Sequence, residues 1–99
     1  MIPSHLSARV RSACFGAISA WGQEPQFRQA QEEAGELVAA VNHMLRGRTG
    51  GFEEAVEETA DLILCVAQLR LMLGEEVDRK LEEKLGRLES RVAEARRAL

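Results

Sequence analysis

Two short carboxylate segments are the residues of this chain best suited to chemistry. They are Glu32-Glu33-Ala34-Gly35-Glu36 and Glu57-Glu58-Thr59-Ala60-Asp61. In each, a glutamate is followed three residues later by a second carboxylate: Glu33 by Glu36, and Glu58 by Asp61. On a helix this spacing puts both groups on one face, with Cβ atoms about 5–6 Å apart. Two such helices facing each other bring four carboxylates together. Four anions repel unless something cationic sits between them. Hard divalent cations with oxygen ligands, Mg²⁺ or Mn²⁺ above all, suit such a set. No Lys or Arg occurs from Gly51 to Leu69, so the second segment has no cation of its own.

A solvated acidic face is the usual fate of a Glu run on a small helical protein. Two features weigh against it here. The acidity recurs with the same internal spacing, and Asp61 runs directly into the apolar block Leu62-Ile63-Leu64-Cys65-Val66-Ala67. A carboxylate that close to a core must be paired or bind a metal.

The elements that would carry these groups are helices. Ala, Leu, Glu, Arg and Gln dominate, Tyr is absent, and no β-branched alternation occurs. Punctuation divides the 99 residues into four helices. The first spans about Ser4 to Ala20, with Ser4 as N-cap and Leu6, Val10, Ala13, Ala17 and Ile18 as its stripe. Trp21-Gly22 ends it. The second begins near Pro25, which a first turn tolerates, and stops near Gly47. Gly50-Gly51 supply the loop. The third spans about Phe52 to Leu73, and Gly74 closes it. The fourth spans about Glu75 to Ala98, with Val77, Leu81, Leu88 and Val92 as its stripe. The chain reads as one all-α domain over residues 1–99. The second half of the third helix is apolar all round, which calls for burial on every side. A chain this short has little to surround it, so we expect a homo-oligomer with that helix in the interface.

Composition excludes several classes. The net charge of -3 argues against a protein made to bind nucleic acid polymers. Two cysteines, Cys14 and Cys65, lie in apolar helical segments without a CxxC or Cys/His cluster. That speaks against zinc and against a disulfide framework, and fits the cytoplasm. Residues 1–10 lack the apolar core of a signal peptide. Leu62 to Leu73 is about half of a membrane span. A di-iron carboxylate bundle needs Glu-x-x-His pairs, and neither His5 nor His43 follows a Glu by three residues.

At this point the residues carry a family likeness. Trp21-Gly22, Gln26 and the run Gln29 to Leu37, followed by Glu58-Thr59-Ala60-Asp61-Leu62, resemble the MazG-like all-α nucleoside triphosphate pyrophosphohydrolases. That superfamily pairs an EExxE motif on one helix with an ExxD motif on the next. Here they read EEAGE and ETAD. The resemblance covers roughly residues 21–91. It implies a four-helix bundle assembling as a homodimer or homotetramer. It also implies Mg²⁺-dependent cleavage of an NTP or dNTP to the monophosphate and pyrophosphate, with Mn²⁺ as a substitute. By motif match, Glu33, Glu36, Glu58 and Asp61 would bind metal. Glu32 would bind a second metal or orient the attacking water, so Glu32 and Glu33 are the implied catalytic pair. A phosphoribosyl-ATP pyrophosphatase, a related α-helical enzyme, lies within the same reaction class.

A triphosphate also needs direct cations. Lys80, Lys84, Arg87 and Arg91 fall along one face of the fourth helix, where relatives in that superfamily carry Lys and Arg near the phosphates. Surface ion pairs with Glu76, Glu83 and Glu94 are the competing reading. Trp21 either stacks on a base or caps the small core. Gln26 and Gln29 either read base edges or face solvent. His43 either touches a phosphate or is an ordinary surface histidine. Set against the enzyme is a non-catalytic helical oligomerisation or regulatory module with an acidic face.

Overall fold

The structure, a computed structural model, describes residues 4–98, the side chains of residues 4–6 excepted. The N-cap role of Ser4, the place of Leu6 in the stripe, and His5 therefore lie outside the described side chains. Four helices make up the described chain: α1 (Ser4–Trp21), α2 (Gln23–Leu45), α3 (Gly51–Leu73) and α4 (Glu76–Ala98). No strand occurs among the described residues. The expected boundaries hold to within about two residues, the ordinary scatter at helix ends. Pro25 sits inside the first turn of α2. The first N–H groups of a helix have no internal partner, so a proline there removes no helical bond.

α1 stops where the punctuation places its end. Gly22 donates its N–H to Ile18 O at 2.8 Å and takes φ 90. L side chains rarely adopt that conformation, so glycine lets the chain reverse within one residue. α2 and α3 form an antiparallel hairpin, the most extensive contact in the molecule. α1 lies on this hairpin, mainly against α3. Cys14 of α1 is buried, and its Sγ lies 3.7 Å from Leu64 O of α3.

The core is built from small side chains. Cys14, Ala30, Ala40, Ala55 and Cys65 are its buried apolar residues, and Ala40 has no exposed surface. Helices whose buried faces carry alanine and cysteine can approach closely. The approach is tightest at the hairpin turn, where Gly51 is buried against Met44. A Cβ on Gly51 would lie 2.9 Å from Met44 Cα, a backbone atom that cannot swing aside.

α4 is different. Among the described residues it touches only α3, and none of its residues is buried. A two-pronged ion pair holds its start: Arg70 Nε and Nη2 donate to Asp78 Oδ1 and Oδ2, each at 2.7 Å. Beyond that, Leu81, Leu85 and Leu88 of its apolar stripe are exposed. So are Ile63, Leu64 and Val66 of the apolar half of α3. Among the described residues, no helix is long and apolar enough to cross a membrane.

Replacing Gly51 by alanine should open the hairpin turn. Overpacking of this kind costs about 1–3 kcal/mol, more than a helical alanine returns. Urea unfolding of Gly51→Ala should show that loss, and an unchanged midpoint would mean that α2 and α3 are not held this tightly.

Candidate metal centre

The close hairpin sets carboxylates from two helices against each other. Glu33 and Glu36 lie one turn apart on α2, and Glu58 of α3 meets them. One carboxylate oxygen from each lies within 4.8 Å of the other two. Glu33 and Glu58 are half-buried, while Glu36 is exposed. Gln29, one turn before Glu33, donates Nε2 to Glu33 Oε1 at 2.8 Å. That bond orients the carboxylate and leaves Oε2 for another partner. Glu33 Oε2 and Glu58 Oε2 are both buried, and neither has a hydrogen-bond partner. Unmet buried oxygens of this kind are costly. Together with the third carboxylate they form a donor set of the hard, oxygen-only type that Mg²⁺ or Mn²⁺ takes.

The electrostatics express the same crowding. Burial, and then the adjacent carboxylates of Glu36 and Glu33, raise Glu58 to about 7. Without a cation, the cluster relieves its repulsion by keeping a proton on Glu58.

Asp61 stands apart from this triad. It lines an adjoining cleft with Gln29, Glu33, Leu64, Cys65 and Gln68. Glu33 and Asp61 both contribute, after burial, to raising the Cys65 thiol. Three helical residues turn through about 300°, and aspartate is one methylene shorter than glutamate, so Glu58 and Asp61 reach different points. Glu33 belongs to both places. Glu32 is exposed and lies outside the triad.

The other sequence candidates are distributed as follows. Trp21 is 69 % exposed and lines a cleft with Ala17, Pro25, Gln26, Gln29 and Gln68. Gln26 is buried, not solvent-facing. Lys80 and Arg87 both pair with Glu83, at 3.3 and 3.9 Å. Lys80 and Lys84 border a shallow groove with Leu73, Val77 and Leu81. Leu73, which shares that groove, lies fifteen residues along α3 from Glu58, about 22 Å at 1.5 Å per residue, so one chain does not bring Lys80 and Lys84 to the triad. His43 Nδ1 lies 3.2 Å from Glu54 Oε2, so these two groups tie the far end of the hairpin together. Sequence reasoning passed over Gln68. Its one signal is a lone amide inside an apolar run, seven residues past Asp61 and hence on a similar face.

In comparisons with known proteins, no family model, no curated protein and no solved structure matches this chain.

The raised Glu58 carries a signed pH dependence. Its ordinary value is 4.5, so between 4.5 and about 7 the folded state binds a proton that the unfolded chain has released. Stability from this group is full below 4.5 and falls as pH rises through 7. In EDTA, the melting temperature should therefore drop between about pH 5 and about pH 8. Glu58→Gln should flatten that drop, and Mg²⁺ should offset it in the wild type. A melting profile equally steep in Glu58→Gln would remove Glu58 as its source.

Proposed function

We propose that this protein is a divalent-metal-dependent hydrolase that cleaves a nucleoside triphosphate to the monophosphate and pyrophosphate. The observation that carries the reading is the meeting of Glu33, Glu36 and Glu58 across the hairpin, with two of their oxygens buried and unpartnered. The resemblance of EEAGE and ETAD to the MazG-like motifs supports the same reading. Glu33, Glu36 and Glu58 would hold the ion, with Asp61 contributing from the adjoining cleft. A bound Mg²⁺ supplies charge neutralisation on the polyphosphate and a lowered pKa of water. Water oxygen joins phosphorus as the bridging P–O bond between the α and β phosphates breaks, and pyrophosphate leaves.

The chain's own groups have separate tasks in this scheme. Gln29 holds the Glu33 carboxylate in one orientation. Glu32, the exposed carboxylate beside Glu33, would orient the attacking water or join a second ion. Lys80, Lys84 and Arg87 are free to meet phosphates only if α4 approaches a carboxylate site from a neighbouring copy. Self-association, as a homodimer or homotetramer, is thus part of the proposal. The exposed apolar residues of α3 and α4 are the surfaces it would cover.

Those same exposed residues favour a second reading, a non-catalytic helical assembly module whose acidic face is incidental. The two readings part on metal. The decisive assay follows pyrophosphate release from ribo- and deoxynucleoside triphosphates in Mg²⁺, Mn²⁺ or EDTA. Turnover should require metal and fall at least about 100-fold in Glu58→Gln and in Asp61→Ala, with both variants folded. A module would yield no product from any nucleotide and would be unharmed, or more stable, with alanine at Asp61.

A further inference from the structure

α1 runs antiparallel to α3. Cys14 meets Leu64, and nearer its start α1 shares a cleft with the second half of α3. The cleft holds about 360 Å³. Ala8, Val10, Ala67 and Leu71 wall it, and Arg11 and Arg70 border it. That volume is within the range of small-molecule sites. Ala67 and Leu71 lie nine and thirteen residues beyond Glu58 on α3, about 14 and 20 Å along the helix axis. The cleft is therefore separate from the carboxylates.

Its two guanidiniums differ in their surroundings. Arg70 is matched: Nε and Nη2 donate to Asp78, and Glu75 adds to the same negative field. A guanidinium carries five N–H donors, and the Nη1 edge is not part of that pair. Arg11 is unmatched. Among the described residues no carboxylate pairs with it, and its guanidinium lies 5.5 Å from the centroid of the Phe15 ring. Stacking on a ring covers one face of the fork and leaves its N–H edges for an acceptor. Arg11 thus brings one uncompensated positive charge to a cleft walled by hydrocarbon. A ligand that satisfies both features carries one negative charge and an apolar body. A carboxylate suits the fork, because it accepts two parallel hydrogen bonds. Phosphate and polyphosphate do not suit the cleft, because its alkyl walls would strip water from their further charges.

We infer that this cleft binds a small hydrocarbon carboxylate, its head on Arg11 and the Nη1 edge of Arg70, its body against Ala8, Val10, Ala67 and Leu71. The site is independent of the hydrolase reading and stands whether or not the triad binds metal. Such a ligand spans the seam between α1 and α3 and reaches the arginine that anchors α4.

Hexanoate is the probe, titrated into the full chain in EDTA and followed by amide NMR spectra. The backbone amides of residues 7–11 and 67–71 should shift, and those of Glu33, Glu36 and Glu58 should stay in place. Hexanol, which lacks the charge, and acetate, which lacks the body, should each bind at least about tenfold more weakly. Inorganic phosphate should move the cleft amides no more than chloride does at equal ionic strength. Arg11→Gln should weaken hexanoate about tenfold and melt near the wild-type temperature, because Arg11 is exposed. Asp78→Asn leaves the Arg70 charge unmatched and should tighten hexanoate about threefold, a gain that an arginine serving only to hold α4 does not predict. Ala8→Leu, at an exposed position, should fill the cleft and abolish the shifts. Cleft amides unmoved by hexanoate, equal affinity in Arg11→Gln, or phosphate binding as tightly as hexanoate would overturn the proposal. An affinity unchanged or weakened in Asp78→Asn would remove Arg70 from the site and the proposal with it.

Discussion

The close contact of α2 with α3 is the constraint on which the rest depends. Apart from Gln26, the buried positions are filled by alanine, glycine and cysteine, and Gly51 lies against the backbone of Met44. Packing of that kind gives each helix little freedom to slide or roll, since small side chains leave no slack to rearrange. The hairpin register then decides what faces what. It sets Glu58 against Glu33 and Glu36, an arrangement that electrostatics alone would oppose. Packing thus imposes a repulsion, and the repulsion demands a positive charge, either a proton on Glu58 or a cation.

From the same register a graded surface follows along the hairpin. At its middle lie the carboxylates. One turn further, Asp61 and Cys65 share a cleft with Glu33. Further on, the surface changes to amides and a single indole ring. Gln29 joins the regions, since it orients Glu33 while lining both clefts.

α4 obeys a different logic. Its two-pronged Arg70–Asp78 pair anchors the first turn, yet Leu81, Leu85 and Leu88 of the apolar stripe beyond are exposed. The apolar half of α3 is similarly uncovered on one side. A core made of such small residues removes little apolar surface from water, and small domains of this kind are commonly stabilised by association. The positive charges of α4 therefore belong, within a single chain, to local pairs such as Lys80 with Glu83.

Much of this was legible in the chain itself. Helix formers, glycines at Gly22, Gly50 and Gly74, and the run of apolar residues after Asp61 determined four helices and their ends, because these are local preferences of the backbone. The period of the helix likewise determined that Glu33 and Glu36 share a face. What only the tertiary structure decided was the pairing across helices. Glu58 joins the triad while Asp61, from the same motif, opens on the next cleft. Lys80, Lys84 and Arg87 stay away from both. Gln68, from within an apolar run, lines a cleft together with Gln26 and Gln29 of α2. Spacing along one helix specifies direction only relative to that helix. The rotation and register of its neighbour depend on how Gly51, Ala30, Ala40 and Ala55 pack, and that is a property of the whole hairpin rather than of any segment.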